Sequence, residues 1–191
     1  MRIILHGGYP GYFDQAGSDD SLFAKLIDAA RQVDGRILVS CLAQEDRSKL
    51  QFLGELKQSF ARLDSEIEIC IADRLNFESI FSDFKVWFIQ GGNPTGQIDF
   101  LSSFSQEALI SGKSLIAGSS SGAMALCERG YSRRLNEFLD GKAILPFSVI
   151  PHANTWPVQK GIDEFRKLSR SPLILLDEIE MVEFDVSHMR A

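Results

Sequence analysis

The chain has 191 residues, 45% hydrophobic and 24% charged, with a formal net charge of −6. That length predicts one globular domain, residues 1–191, with room for a sizeable core. The acidic balance leaves no basic stripe to neutralise phosphates, which argues against a nucleic-acid partner. No apolar run approaches the ~20 residues of a membrane span, which argues against a membrane partner, and the N-terminal apolar stretch is too short for a signal peptide. Three cysteines, Cys41, Cys70 and Cys127, form no close pair and read as free thiols in a reducing compartment, so the expected location is the cytoplasm.

In chain order, Arg2–His6 reads as a buried strand and Ser21–Gln32 as an amphipathic helix. Arg36–Leu42 is a strand, Arg47–Leu63 a helix and Glu66–Ala72 an alternating strand. Phe77–Phe84 is a short helix, and the strand Lys85–Gln90 runs into "GGNPTG". Gln97–Ser111 reads as one helix and Ser114–Gly118 as the next strand, with the helix-former run "AMALCE" after "GSSSG". This β-α-β-α order with near-continuous apolar strands predicts an α/β fold. The expected form is a three-layer, doubly wound, mostly parallel sheet with helices on both faces. Beyond Leu126 the pattern loosens. Lys142–His152 reads as two extended pieces around Pro146, Lys160–Ser169 as a helix, and Leu173–Val186 as two strands joined by a tight acidic turn.

Ligands in such sheets bind beyond the carboxyl ends of the strands. Three glycine-bearing loops fall there: "HGGYPG", "QGGNPTG" and "GSSSGA". Of the three consecutive serines, only Ser120 has glycine two residues away on both sides, at Gly118 and Gly122. A nucleophile on a tight strand-to-helix turn needs such small neighbours, and the helix that follows aims free N–H groups at the reaction site. The N–H of Ser121 is then one oxyanion donor. The plain alternative is a serine–glycine turn opening a helix.

A serine needs a base, and the histidines are His6, His152 and His188. His152, in "VIPHAN", ends an extended run behind a restricting proline, although a hydrogen-bonded structural histidine reads the same way. "LLDEIE" offers Asp177 and Glu178 as carboxylates to orient the imidazole. No cluster has metal-ligand spacing, and no cofactor is expected.

"FIQGGNPTGQIDFL", "SLIAGSSSGAMAL" and "GKAILPFSVIPH", in that order, resemble peptidase family S51, which holds dipeptidase E (α-aspartyl dipeptidase) and cyanophycinase. The similarity is clearest over Lys85–Asn154. It implies a class I glutamine amidotransferase-like fold with Ser120 as nucleophile, His152 as general base and Glu178, or its neighbour Asp177, as the third member. The "GGN" loop of Gly91, Gly92 and Asn93 would form the other side of the oxyanion and substrate site, with Gly92 supplying the second N–H. The implied substrate is a short peptide. An N-terminal aspartate is one candidate specificity, for which Arg133 and Arg134 are the cations nearest in sequence. A homodimer stays open.

Two departures stand out. Ser121 replaces the alanine that usually follows the nucleophile, and Ala153 follows the histidine where an aromatic residue is frequent. They leave room for a non-catalytic binding or interaction module of the same fold. An esterase of the α/β-hydrolase type is the other rival, with "HGGYPG" as its oxyanion loop and Ser120, Asp177 and His188 as its triad.

Overall fold

Alternation along the central strands decides the layering of the molecule. The structure is a computed structural model that describes residues 1–9, 20–43, 46–155, 158–168 and 171–186. The first half runs β1 (Arg2–His6), α1 (Ser21–Arg31), β2 (Arg36–Ser40), α2 (Asp46–Leu63), β3 (Glu68–Ala72), α3 (Phe77–Ile80) and β4 (Val86–Ile89). It continues with α4 (Pro94–Ser102), α5 (Gln106–Ile110), β5 (Leu115–Ser119) and α6 (Ser121–Leu126). The remainder is β6 (Cys127–Ser132), β7 (Glu137–Asp140), β8 (Leu145–Ile150), α7 (Gln159–Leu168), β9 (Leu173–Leu175) and β10 (Met181–Asp185).

The main sheet has the order β10-β1-β5-β4-β2-β3 and is parallel except for β10, which runs antiparallel to β1. Successive side chains of a strand point to opposite faces. Ile4, Ile37, Val39, Phe88 and Ala117 therefore pack on one face with α1 and α2. Leu5, Leu38, Trp87, Ile89 and Ile116 pack on the other with residues of α3 to α6. This is the expected doubly wound α/β architecture.

The same second face also carries a smaller sheet that the chain's periodicity does not announce, with the order β7-β6-β8-β9. Its Leu145 and Val149 join the core of that face. Two expectations are corrected here. β9 and β10 are not paired through a hairpin: β9 extends the smaller sheet alongside β8, whereas β10 closes the main sheet on β1. The acidic turn thus crosses from one sheet to the other. Lys142–His152 yields one strand rather than two, and the register slips where Pro146 supplies no donor to the ladder.

Two further boundaries differ. Gln97–Ser111 divides into α4 and α5, because the Ser105 side chain accepts the Ala108 N–H (3.0 Å) and caps a new helix. Cys127 begins β6 instead of continuing the helix, since Lys142 N–H takes the Ala125 carbonyl and Ala143 N–H that of Cys127. Burial pushes the Cys127 thiol far up, which keeps it protonated.

Lys113 is almost fully buried, and its ammonium donates to the carbonyls of Phe81 and Phe84 at 2.8 Å each. Burial, with the charge of Lys85 nearby, pulls its pKa down to about 8. Among the described residues, no helix is long and apolar enough to cross a membrane.

Candidate active site

β5 lies in the middle of the main sheet, flanked by β1 and β4, and its end delivers Ser120. Ser120 adopts φ 52°, ψ −114°, a conformation that L-residues avoid. Its N–H donates to the His6 carbonyl (2.9 Å), and its own carbonyl accepts the Met124 N–H (3.1 Å) to start α6. The glycine frame has a steric cause, since a Cβ on Gly118 would collide with the backbone of Gly122. Ser121 opens α6, where a first-turn N–H has no helical acceptor.

The "GGN" loop follows β4. Gly91 is buried against Ser120, and a Cβ there would lie 3.1 Å from that of Ser120. Gly92 is exposed, with φ +144°, and packs on Ala43. Asn93 donates its N–H to the Ala43 carbonyl (3.1 Å), so that group serves the loop itself.

His152 follows β8 in the smaller sheet, at φ 55°. Its N–H donates to the Gly7 carbonyl (3.0 Å), and Ala153 N–H donates to that of Leu176 (2.9 Å). The ring spans the gap between the sheets. Its Nε2 lies 3.0 Å from Ser120 Oγ and its Nδ1 lies 2.8 Å from Glu178 Oε1. Glu178 sits in the crossing turn, anchored by its N–H on Asn154 Oδ1 (3.0 Å). The next residue, Ile179, is also at positive φ (63°) and donates its N–H to the Gly8 carbonyl (2.8 Å). Strained backbone thus clusters at and beside the three side chains that meet.

Asp177 is not among them: it is exposed, and its N–H is taken by Glu180 Oε2 (2.9 Å). His188 lies outside the described residues. The "HGG" loop that follows β1 has a role sequence reasoning misses. Gly7 N–H donates to the Glu180 carbonyl (2.9 Å) and Gly8 N–H to His6 Nδ1 (3.2 Å), so neither faces a substrate. Gly8, at φ +106°, lies flat against the His152 ring, which any Cβ would displace. The glycines were visible in the sequence; their contact with a residue so distant in the chain was not.

The three side chains open onto a cleft of about 510 Å³ whose far wall includes Tyr131, Arg133 and Arg134. Both arginines are exposed, in the turn between β6 and β7. Tyr131 donates its hydroxyl to Asn136 Oδ1 (2.9 Å), and burial, with Glu164 adding, raises its pKa, so it stays a neutral phenol. The unexpected Ser121 hydroxyl turns to Gln97 Oε1 (2.9 Å), not to Ser120.

The chain shares the fold of solved peptidases. A peptidase from an acI-B1 Actinobacterium superposes over 96% of this chain and 82% of its own, with a TM-score of 0.67 and 21% identity. A "putative Peptidase E protein" from Listeria monocytogenes EGD-e superposes over 96% of this chain and 93% of its own, with a TM-score of 0.63 and 14% identity. No family model matches the sequence, and no curated protein does.

A hydroxyl, an imidazole and a carboxylate in hydrogen-bonded series can move a proton off the hydroxyl and hold the imidazolium that forms. His152 and Glu178 keep 28% and 17% of their side chains exposed, so a substrate can reach the pair from the cleft. Among the described residues, no group of three or more His, Cys, Asp and Glu side chains is arranged to hold a metal ion.

Proposed function

We propose that this chain is a serine peptidase that cleaves short peptides through an acyl-enzyme on Ser120. The observation that carries the reading is the unbroken series Ser120 Oγ, His152 and Glu178, with bonds of 3.0 and 2.8 Å. The fold shared with solved peptidases supports it. In this mechanism His152 Nε2 takes the proton as Ser120 Oγ attacks the peptide carbonyl. Glu178 holds Nδ1–H and balances the imidazolium. The oxyanion rests on the N–H groups of Ser121 and Gly92. His152 then protonates the leaving amine, and water repeats the sequence on the ester. Arg133 and Arg134 face the same cleft and suit a carboxylate, which supports a preference for an N-terminal aspartate.

The esterase reading loses its main support because both N–H groups of the "HGG" loop are engaged within the protein. The binding-module reading loses its motive at Ser121, whose hydroxyl does not compete for Ser120.

A fluorophosphonate probe together with a dipeptide panel tests the proposal. Wild type is expected to be labelled and to hydrolyse Asp-X dipeptides. Ser120→Ala should abolish labelling and lower turnover by about 10⁴-fold or more. Equal labelling of Ser120→Ala sinks the nucleophile assignment. Unchanged KM for acidic dipeptides in the Arg133→Met/Arg134→Met variant sinks the specificity.

A further inference from the structure

The two oxyanion donors belong to different elements. Ser121 is the first residue of α6, and Gly92 lies two residues before α4 begins. A developing oxyanion is stabilised only when both N–H groups come within about 2.7–3.1 Å of one point. The separation of the two helix starts is therefore a catalytic variable, and something must hold it.

One side-chain bond spans that separation. Ser121 Oγ donates to Gln97 Oε1 at 2.9 Å, and both side chains are buried, Gln97 completely. Gln97 sits one turn into α4, and its backbone N–H bonds the Asn93 carbonyl (3.3 Å), beside Gly92. The Gln97 Nε2 is buried without a hydrogen-bond partner among the described residues. The amide head is thus anchored through Ser121. A buried amide so poorly satisfied is a costly residue for a core, where leucine or methionine would fill the same space. What an apolar residue cannot supply is a directional bond of fixed length. The bond does not cap α6 either, because the capping position belongs to Ser120.

We infer that the Ser121–Gln97 hydrogen bond is a staple that fixes the two oxyanion N–H groups at their working separation. Both are positioning residues: their side chains are buried and turned to each other. The inference rests on the serine-peptidase reading. It holds that the bond acts on the acylation step and leaves binding alone.

The test measures the maximal rate and the half-saturating concentration of fluorophosphonate acylation in wild type, Ser121→Ala, Gln97→Leu and the double variant, with thermal melting as the folding control. Each single change should lower the maximal rate about 10-fold and leave half-saturation within about twofold, and the double should also fall about 10-fold rather than 100-fold. A lowered melting temperature without that split between rate and affinity marks a general loosening of the core and overturns the staple. If Gln97→Leu does not fold, Gln97→Met keeps the volume and removes the acceptor. Labelled wild type with single variants inside twofold of it overturns the staple alone. So does a multiplicative loss in the double variant. Wild type that labels no better than Ser120→Ala overturns the peptidase reading and the staple with it.

Discussion

Two glycine pairs look alike in the sequence and serve opposite halves of the site. Gly7–Gly8 follow β1 and Gly91–Gly92 follow β4, the two strands that flank β5. The first pair is wedged between the sheets. Its N–H groups bond Glu180 and His6, and its carbonyls receive the N–H groups of His152 and Ile179. It is a clamp that presents the imidazole. The second pair packs Gly91 against Ser120 and Gly92 against Ala43, and Gly92 lines the cleft. The lesson is that glycine is needed for different reasons. In one loop a ring must lie against the backbone; in the other the chain takes a positive φ in close contact with Ala43.

Breaking the clamp has the larger expected effect. Gly8→Ala drives a methyl into the His152 ring, which must give up its bond to Ser120 or to Glu178. kcat should fall about 10³-fold, the range of a lost general base. The loss should shrink towards high pH, where hydroxide takes over proton removal. Gly92→Ala comes next. Its Cβ would lie 2.9 Å from that of Ala43 at a φ of +144°, so the loop must re-form. Under the proposed mechanism, a misplaced Gly92 N–H should cost about 10²-fold in kcat, equally at every pH and with KM unchanged. Full pH profiles of the two variants check the distinction. A pH-independent loss in Gly8→Ala would show that the two loops do not divide the chemistry.

The same contrast explains what could be read from the sequence. Ser120 was legible because its constraint is local: the collision between Gly118 and Gly122 is written in five consecutive residues. His152 was legible through scarcity, as one of three histidines, behind Pro151. Choosing Glu178 over Asp177 was not, because the choice depends on a turn that crosses between two sheets. The smaller sheet was itself hidden, since β7 and β9 are short and half-exposed and give no clean alternation. The clamp stayed hidden because Gly8 and His152 meet only in the tertiary fold. The cap at Ser105 has a local signal, a serine before "QEALI", but the helical apolar spacing of Gln97–Ser111 runs across it.

The smallest expected effect tests whether the oxyanion side can be loosened without touching the base. Arg74 lies behind the "GGN" loop, with Nε donating to the Leu42 carbonyl (3.0 Å), a terminal nitrogen donating to the Gly96 carbonyl (2.5 Å), and the guanidinium over the Phe100 ring (5.7 Å). It ties the segment that receives Asn93 N–H to the first turn of α4. Arg74→Met keeps much of the bulk and loses both bonds, while the Asn93–Ala43 bond remains. kcat should drop about 3–10-fold with KM unchanged, because the loop keeps one of its two supports. Arg74→Lys should not restore it, since a single ammonium cannot span two carbonyls as the planar guanidinium does. Nothing in this change reaches His152 or Glu178, so the shape of the pH–rate profile should stay that of wild type. A shifted profile would mean that Arg74 also positions the base, and that the two halves of the cleft are coupled through α4 rather than built separately.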